Sequence, residues 1–191
     1  MTTHYIDIRL HPDPEFSQIH LLGALVAKLH RVLVHLQASD IGVSFPEHVL
    51  KPRSKRGLGT MLRLHGTPAA LKGLMEMDWL RGMRDHVYTG DVMLAPTDAP
   101  HRQVLRRQFK TNVDRLRRRR MRRKGETAEQ AAMAIPDHVE RRPELPYIPV
   151  RSSSTGQPFC LFVDHGPLQV EARQGEFNTY GLSQGATVPW F

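Results

Sequence analysis

From residue 17 to 37 the large apolar side chains Leu22, Leu25, Val26, Leu29, Leu33 and Leu36 recur at steps of three and four, which describes one face of a long helix. His30 lies at the flank of that face. The segments on either side narrow the fold. Before the helix, His4 to Leu10 alternates Tyr5, Asp7 and Arg9 with Ile6, Ile8 and Leu10, the period of a half-buried strand, and the turn HPDPEF ends it. After it, residues 41–45 (IGVSF) read as a short strand closed by Pro46, and residues 61–65 as another. Thr67 then caps a helix with Pro68 at its first position, running through Leu71 and Leu74 toward Met75, with Trp79 and Leu80 extending the apolar surface. Residues 88–94, broken at Gly90, supply a fourth strand. Strand, helix, strand, strand, helix, strand is the split βαβ order of a ferredoxin-like (RRM-like) domain, an α+β fold. Sheets of this kind often bind RNA, but a fold alone does not carry a function.

Residues 95–101 (APTDAPH) hold two prolines and no core residue, so a domain boundary is expected there, with a first domain over 1–96 and a second over 97–191. The second domain opens on the densest charge in the chain. Residues 101–124 contain 12 Lys or Arg against the single Asp114, a local +11, whereas the whole chain sums to +8. The remainder is therefore slightly acidic. A charge confined to one segment is the footprint of a discrete polyanion site. Asn112 is placed to cap a helix and Asp114 sits in its first turn, so Val113 to Lys124 reads as helical. At about 100° per residue, Arg115, Arg118, Arg119 and Arg122 share one stripe, with Arg123 beside it. A solvated basic face would carry the same charge, but nucleic acid is the better reading. A membrane surface fits poorly, because Leu116 and Met121 are the only large apolar residues in the helix.

Downstream, Thr127 with Gln130 three residues on signals a capping box for a short helix stopped by Pro136. Residues 140–149 are proline-punctuated and expected to be irregular. Two strands, 147–152 and 158–164, then flank the turn TGQ, with further strands expected over 168–172 and 177–180, giving a small antiparallel sheet. No run of about 18 apolar residues and no signal-peptide pattern is present, and Cys160 is the only cysteine. A soluble protein of the reducing cytoplasm is expected.

Eleven histidines invite a metal reading, but none shows the paired helical spacing with an intervening Glu that metal hydrolases use. No metal and no cofactor is therefore expected. The serines of RSSSTGQ lack a nucleophile elbow and read locally as a polar turn. His30 alone reads as a structural histidine. RNA chemistry changes that weighting: the 2′-OH is itself a nucleophile, so strand cleavage requires only a base, a positioning group and charge stabilisation at the phosphate.

Eight segments in collinear order, HYIDIRLHPDPEF, KLH ending at His30, IGVSFP, the RRQ step before the arginine helix, RSSSTGQPF, HGPLQV, TYGLSQG and the terminal VPWF, together resemble the type I-F (Ypest subtype) CRISPR repeat-processing endoribonucleases. The resemblance covers nearly the whole chain. It implies that the first domain carries a catalytic histidine, matched by His30, and that the second carries the RNA-binding helix and a serine that positions the attacking 2′-OH, matched by Ser152. Ser154 is matched to a supporting role and Tyr180 to a tyrosine close to the histidine. Arg106 and Gln108, alternating along one strand face, match residues that read base edges in the stem, where Arg suits bidentate contact with guanine. Arg119, Arg122 and Arg123 match the groove-binding arginines, with Arg115 and Arg118 on the same stripe.

Phe159 matches an aromatic that stacks on a nucleotide at the stem's base, although core packing favours the same residue type. The implied activity is metal-independent cleavage of the repeat transcript at the 3′ base of its hairpin, leaving a 2′,3′-cyclic phosphate. The implied partners are the repeat hairpin, the mature guide RNA and other Cas proteins of the type I-F surveillance complex, with a monomer when free. The alternative is a non-catalytic hairpin-binding protein. The long Gly-rich loop of the broader repeat-endoribonuclease group is reduced here to GLSQG around Gly181 and Gly185, and the basic loop at 51–56 has no family counterpart.

Overall fold

The computed structural model describes residues 2–50, 56–109, 113–137, 144–152 and 155–191. The chain forms two compact units, one made of residues 1–107 with 145–191 and one of residues 108–144. In the larger unit β1 (His4–Leu10) is the central strand, and its alternation is realised: Ile6, Ile8 and Leu10 are buried. Helix α1 (Gln18–Leu36) follows and buries the stripe containing Leu22, Leu25, Val26, Leu29 and Leu33, ending where Gln37 takes a left-handed φ of 51°. α1 is long and apolar enough to cross a membrane, yet that apolar stripe is spent on the core of this unit.

Next come β2 (Gly42–Ser44), β3 (Val49–Leu50), β4 (Arg56–Gly57), β5 (Met61–Gly66) and α2 (Pro68–Glu76), whose Thr67 side chain accepts from the Ala70 N–H as the sequence pattern requires. The expected fourth strand is indeed broken at Gly90. It divides into β6 (Val87–Thr89) and β7 (Met93–Leu94), both antiparallel to β1. Sheet order is β2-β5-β1-β6, with every neighbouring pair antiparallel.

The rest of the larger unit is built from β8 (His101–Arg102), β9 (Val104–Arg107), β10 (Tyr147–Arg151), β11 (Pro158–His165), β12 (Glu176–Phe177), β13 (Ser183–Gln184) and β14 (Val188–Pro189). A second antiparallel sheet runs β10-β11-β9, and β12 pairs β13 while β14 pairs β8. Helix α1 meets β10 closely: a Cβ on Gly23 would lie 2.3 Å from the Pro149 carbonyl oxygen, so only glycine fits there. Ile148, Val150, Leu161 and Val163 consequently share one hydrophobic core with α1 and the first sheet. Residues 95–101 lie within this unit and are tied down, with Ala95 and Ala99 buried, Ala95 N–H donating to the Thr3 carbonyl and His101 N–H to that of Gln169. The two compact units therefore divide at 107/108 and 144/145 rather than at 96/97.

One expected strand is absent and another is cut short. Over 168–172 there is a single bridge, His101 to Gln169, and Leu168 and Val170 stand exposed; the alternation there belongs to an unpaired segment that follows Gly166 and Pro167. Over 177–180 the strand stops at Phe177, because the Asn178 side chain captures the N–H groups of Tyr180 and Leu182 at 2.8 and 3.2 Å and folds the chain into a turn. The strand after the proline-punctuated stretch does begin at Tyr147; Asn112, Ser154 and residues 51–55 lie outside the described residues.

The smaller unit contains α3 (Val113–Lys124) and α4 (Ala128–Ala134). α3 spans the residues its sequence predicts. The capping box is formed, with the Gln130 N–H donating to Thr127 Oγ1 and the Thr127 N–H to Gln130 Oε1.

Candidate cleavage site and nucleic-acid interface

His30 lies at the edge of α1's buried stripe, next to fully buried Leu29 and partly exposed itself. Its Nδ1 is 2.8 Å from the carbonyl oxygen of Thr179. A carbonyl only accepts, so Nδ1 carries the proton and the neutral ring keeps its lone pair on Nε2. The ring is also stacked on Tyr180, centroids 4.0 Å apart and planes within 3°. Both contacts come from the turn that Asn178 makes. That turn is moored to β2, where Val43 N–H donates to the Gly181 carbonyl at 2.8 Å, and to the segment before it, where the Ser39 carbonyl accepts from Phe177 N–H at 2.9 Å. Gly181 has φ of +70°, and a Cβ there would lie 2.6 Å from a Val43 methyl, so backbone and space both demand glycine.

The second sheet adds a cation to this pair. Its register sets Arg106 opposite Val163, Ile148 opposite Leu161 and Val150 opposite Phe159, which puts Arg106 and Phe159 on the face that buries Val163, Leu161 and Ile148. The Arg106 guanidinium stands 5.4 Å from the Tyr180 ring centroid and 5.7 Å from that of Phe159, within cation–π range of both. Burial pushes the Tyr180 phenol up, and Arg106 pulls it back only in part, so it stays protonated at neutral pH. Phe159 itself is half-buried and packs on the core. His30, Tyr180, Arg106 and Phe159 thus form one assembly. Arg106 was expected to alternate with Gln108 along a strand face; β9 ends at Arg107, and Gln108 follows it, exposed.

Ser152 immediately follows β10, two residues beyond the Val150 that faces Phe159. Its N–H donates to the Gln157 carbonyl at 2.9 Å, its carbonyl accepts from Gly156 at 2.8 Å, and its hydroxyl oxygen accepts from the Thr155 N–H at 3.3 Å. The polar turn read from the sequence is therefore real, and it fixes the serine's backbone.

In α3 the arginines divide into two faces. Arg117 donates from Nε to the Ile135 carbonyl at 2.9 Å and from Nη2 to Asp137 at 2.8 Å. Arg120 makes a bidentate pair with Glu126, at 2.5 and 3.0 Å, which holds the Glu126 carboxyl below its ordinary range. Arg118, Arg119, Arg122 and Arg123 are exposed, as is Arg115. At 100° per residue the inward pair lies about 170° round the helix from the exposed stripe. The sequence stripe was legible; the inward pair was missed, although an acid six residues after Arg120 and another just past α4 were its signal.

The structure thus defines a protein of helices and antiparallel sheets that presents a histidine-centred cluster on one unit and a face of arginines on the other. A family model described as "CRISPR-associated protein (Cas_Csy4)" matches residues 5–191. A "CRISPR-associated endonuclease Cas6/Csy4" of Pseudomonas aeruginosa (strain UCBPP-PA14) is 49% identical over 188 residues, covering 98% of this chain and 99% of that protein. A protein of the same description from Escherichia coli (strain UTI89 / UPEC) is 44% identical over 188 residues, with the same coverage. A solved structure titled "An RAMP protein binding different RNA substrates" overlays with a TM-score of 0.35 at 10% identity, covering 98% of this chain and 100% of that one, too distant to weigh. The chain belongs to the Cas_Csy4 family of CRISPR-associated proteins.

Proposed function

We propose that the protein binds the stem-loop of a CRISPR repeat transcript and cleaves it at the 3′ base of the hairpin. Nε2 of His30 takes the proton of the 2′-OH, Ser152 holds that hydroxyl, and O2′ attacks the adjacent phosphorus. The P–O5′ bond breaks, O5′ takes a proton from solvent water and leaves as a hydroxyl, the His30 ring returns its proton to solvent, and the upstream product carries a 2′,3′-cyclic phosphate. The observation that carries this reading is the Nδ1 contact of His30 with the Thr179 carbonyl at 2.8 Å, which fixes the tautomer that a general base requires. Tyr180 orients the ring by stacking, and Arg106 brings positive charge to the same cluster, suited both to a phosphate and to a guanine edge. Phe159 offers its exposed part to a nucleotide at the stem's base, Gln108 reads a base edge, and Ser154 supports Ser152.

The exposed arginines of α3 hold the stem, and the sheet order β2-β5-β1-β6 with two intervening helices supports the ferredoxin-like reading of the first part. Retention of the cleaved guide RNA then makes this monomeric cytoplasmic protein a subunit of a larger Cas assembly. A hairpin substrate with a 2′-deoxy sugar at the scissile position tests the chemistry. It should bind and resist cleavage, while the all-ribose hairpin is cut in the presence of EDTA; efficient cutting of the deoxy substrate, or loss of cutting in EDTA, refutes the mechanism.

A further inference from the structure

On the flank of α1 away from His30, Lys28, Arg31 and His35 follow one another at helical steps of three and four. They border a cavity of about 350 Å³ whose opposite wall is the segment after α2, including Asp78, Trp79 and Arg81. The two walls are joined, because Lys28 Nζ donates to the Arg81 carbonyl oxygen at 2.6 Å. Asp78, the one acid in the lining among the described residues, is paired with Arg84. Lys28, Arg31 and Arg81 therefore face the cavity with little local compensation. Trp79 adds an apolar wall, with its indole N–H buried out of reach of solvent. Basic side chains around one concavity have the chemistry of an oxyanion site.

The same helix carries His30 at the same height, about 130° round the axis, so a helix diameter of roughly 10–12 Å separates the two faces. A strand leaving the scissile phosphate crosses that distance in a few nucleotides.

We propose that this pocket binds backbone phosphates of the single-stranded RNA that leaves the base of the hairpin. The inference rests on the cleavage reading above and extends it: the protein would grip the precursor by a flank as well as by the stem. The test uses the full chain and three RNAs made uncleavable by a 2′-deoxy sugar at the scissile position: the bare hairpin, the hairpin with a 3′ single-stranded flank, and the hairpin with a 5′ flank. One flank should tighten binding by about 5- to 10-fold at moderate salt, and should steepen the dependence of log affinity on log salt by about 0.7 per phosphate held. The arm that shows the gain identifies the strand.

In Arg31→Glu/Arg81→Glu the gain should vanish while the bare hairpin binds as before, with Arg31→Gln/Arg81→Gln as the milder pair should the charge reversal impair folding. Equal binding of all three RNAs by the unaltered protein, or a flank gain that survives in both double variants, overturns the proposal and leaves the cleavage reading standing. Failure to bind any of the hairpins overturns both.

Discussion

The arginine face of α3 and the cluster around His30 are built in opposite ways. The arginine face is local: its residues lie within one helix, and the pairs that steady that helix come from Glu126 and Asp137 a few residues on. The histidine cluster draws on α1, β9, β11 and the turn at 178–182, so the two closest partners of His30, Thr179 and Tyr180, lie 149 and 150 residues away from it in the chain. An electrostatic surface can be specified by composition, since charge acts without exact placement. A proton-transfer site needs one ring in one tautomer, and that requires the whole fold.

The largest expected effect separates the two. His30→Ala removes the base and touches no arginine of α3, so cleavage should fall by about 10² to 10⁴ while hairpin affinity is nearly unchanged. Single-turnover rates alongside equilibrium binding measure both. Equal losses would mean that His30 is a packing residue.

The same contrast explains what the sequence revealed. Helix α1, β1 and the cap of α2 follow from period and capping chemistry, and α3 from charge and spacing; all stand where the residues place them. The strand at 177–180 was misread because Asn178 binds the backbone through its side chain, a choice invisible to apolar alternation. The boundary at 95–101 was expected from two prolines, but Ala95 and Ala99 are small residues buried by contacts that the local sequence does not contain. The family resemblance paired His30 with Tyr180; the Thr179 carbonyl that sets the tautomer is a backbone group and has no sequence signature.

Acidification should divide the two regions next. His65 is fully buried beside Arg63 and His101, with Ser44 Oγ at 2.8 Å from its Nε2, and burial, then Arg63, lower its pKa to about 3. His165, stacked on His48 at 3.7 Å and facing Arg102, is lowered to about 3, again chiefly by burial. Both groups are neutral when folded and take up protons on unfolding below about pH 6.5. Their stabilisation is thus complete above that pH and is lost as pH falls toward 3. From pH 7 to 5 each should cost on the order of 2 kcal/mol, visible as a falling denaturant midpoint for the larger unit. The described residues of the smaller unit contain no histidine, so the far-UV helical signal of α3 and α4 should persist over that range. A flat pH profile would show that these rings are solvated.

A smaller effect concerns Arg106, which belongs to the histidine cluster by geometry and to the arginines by charge. Arg106→Ala should cost about 1–3 kcal/mol of hairpin binding, as loss of a bidentate base contact does, and relax discrimination at one base pair. It should leave the salt slope nearly intact. Competition between hairpins differing at single stem pairs reads this directly. Loss of cleavage with unchanged preference would instead assign Arg106 wholly to the phosphate beside His30.

The finest distinction lies within α3 and is read by salt. Each phosphate neutralised on a duplex contributes roughly −0.9 to the slope of log affinity against log salt. Arg119→Ala and Arg122→Ala should each make the slope shallower by about one unit without changing which hairpin is preferred. Arg117 and Arg120 point to Asp137, the Ile135 carbonyl and Glu126, so their loss should weaken binding through the helix rather than through a missing charge at the RNA. Arg120→Ala should lower affinity at every salt concentration with the slope unchanged, and reduce the helical signal of the smaller unit. The exchange Arg120→Glu/Glu126→Arg should recover both, because it rebuilds the pair with its polarity reversed. An Arg120→Ala slope as shallow as that of Arg119→Ala, with no recovery in the exchange, would place Arg120 against the phosphates and erase the division between the two faces of the helix.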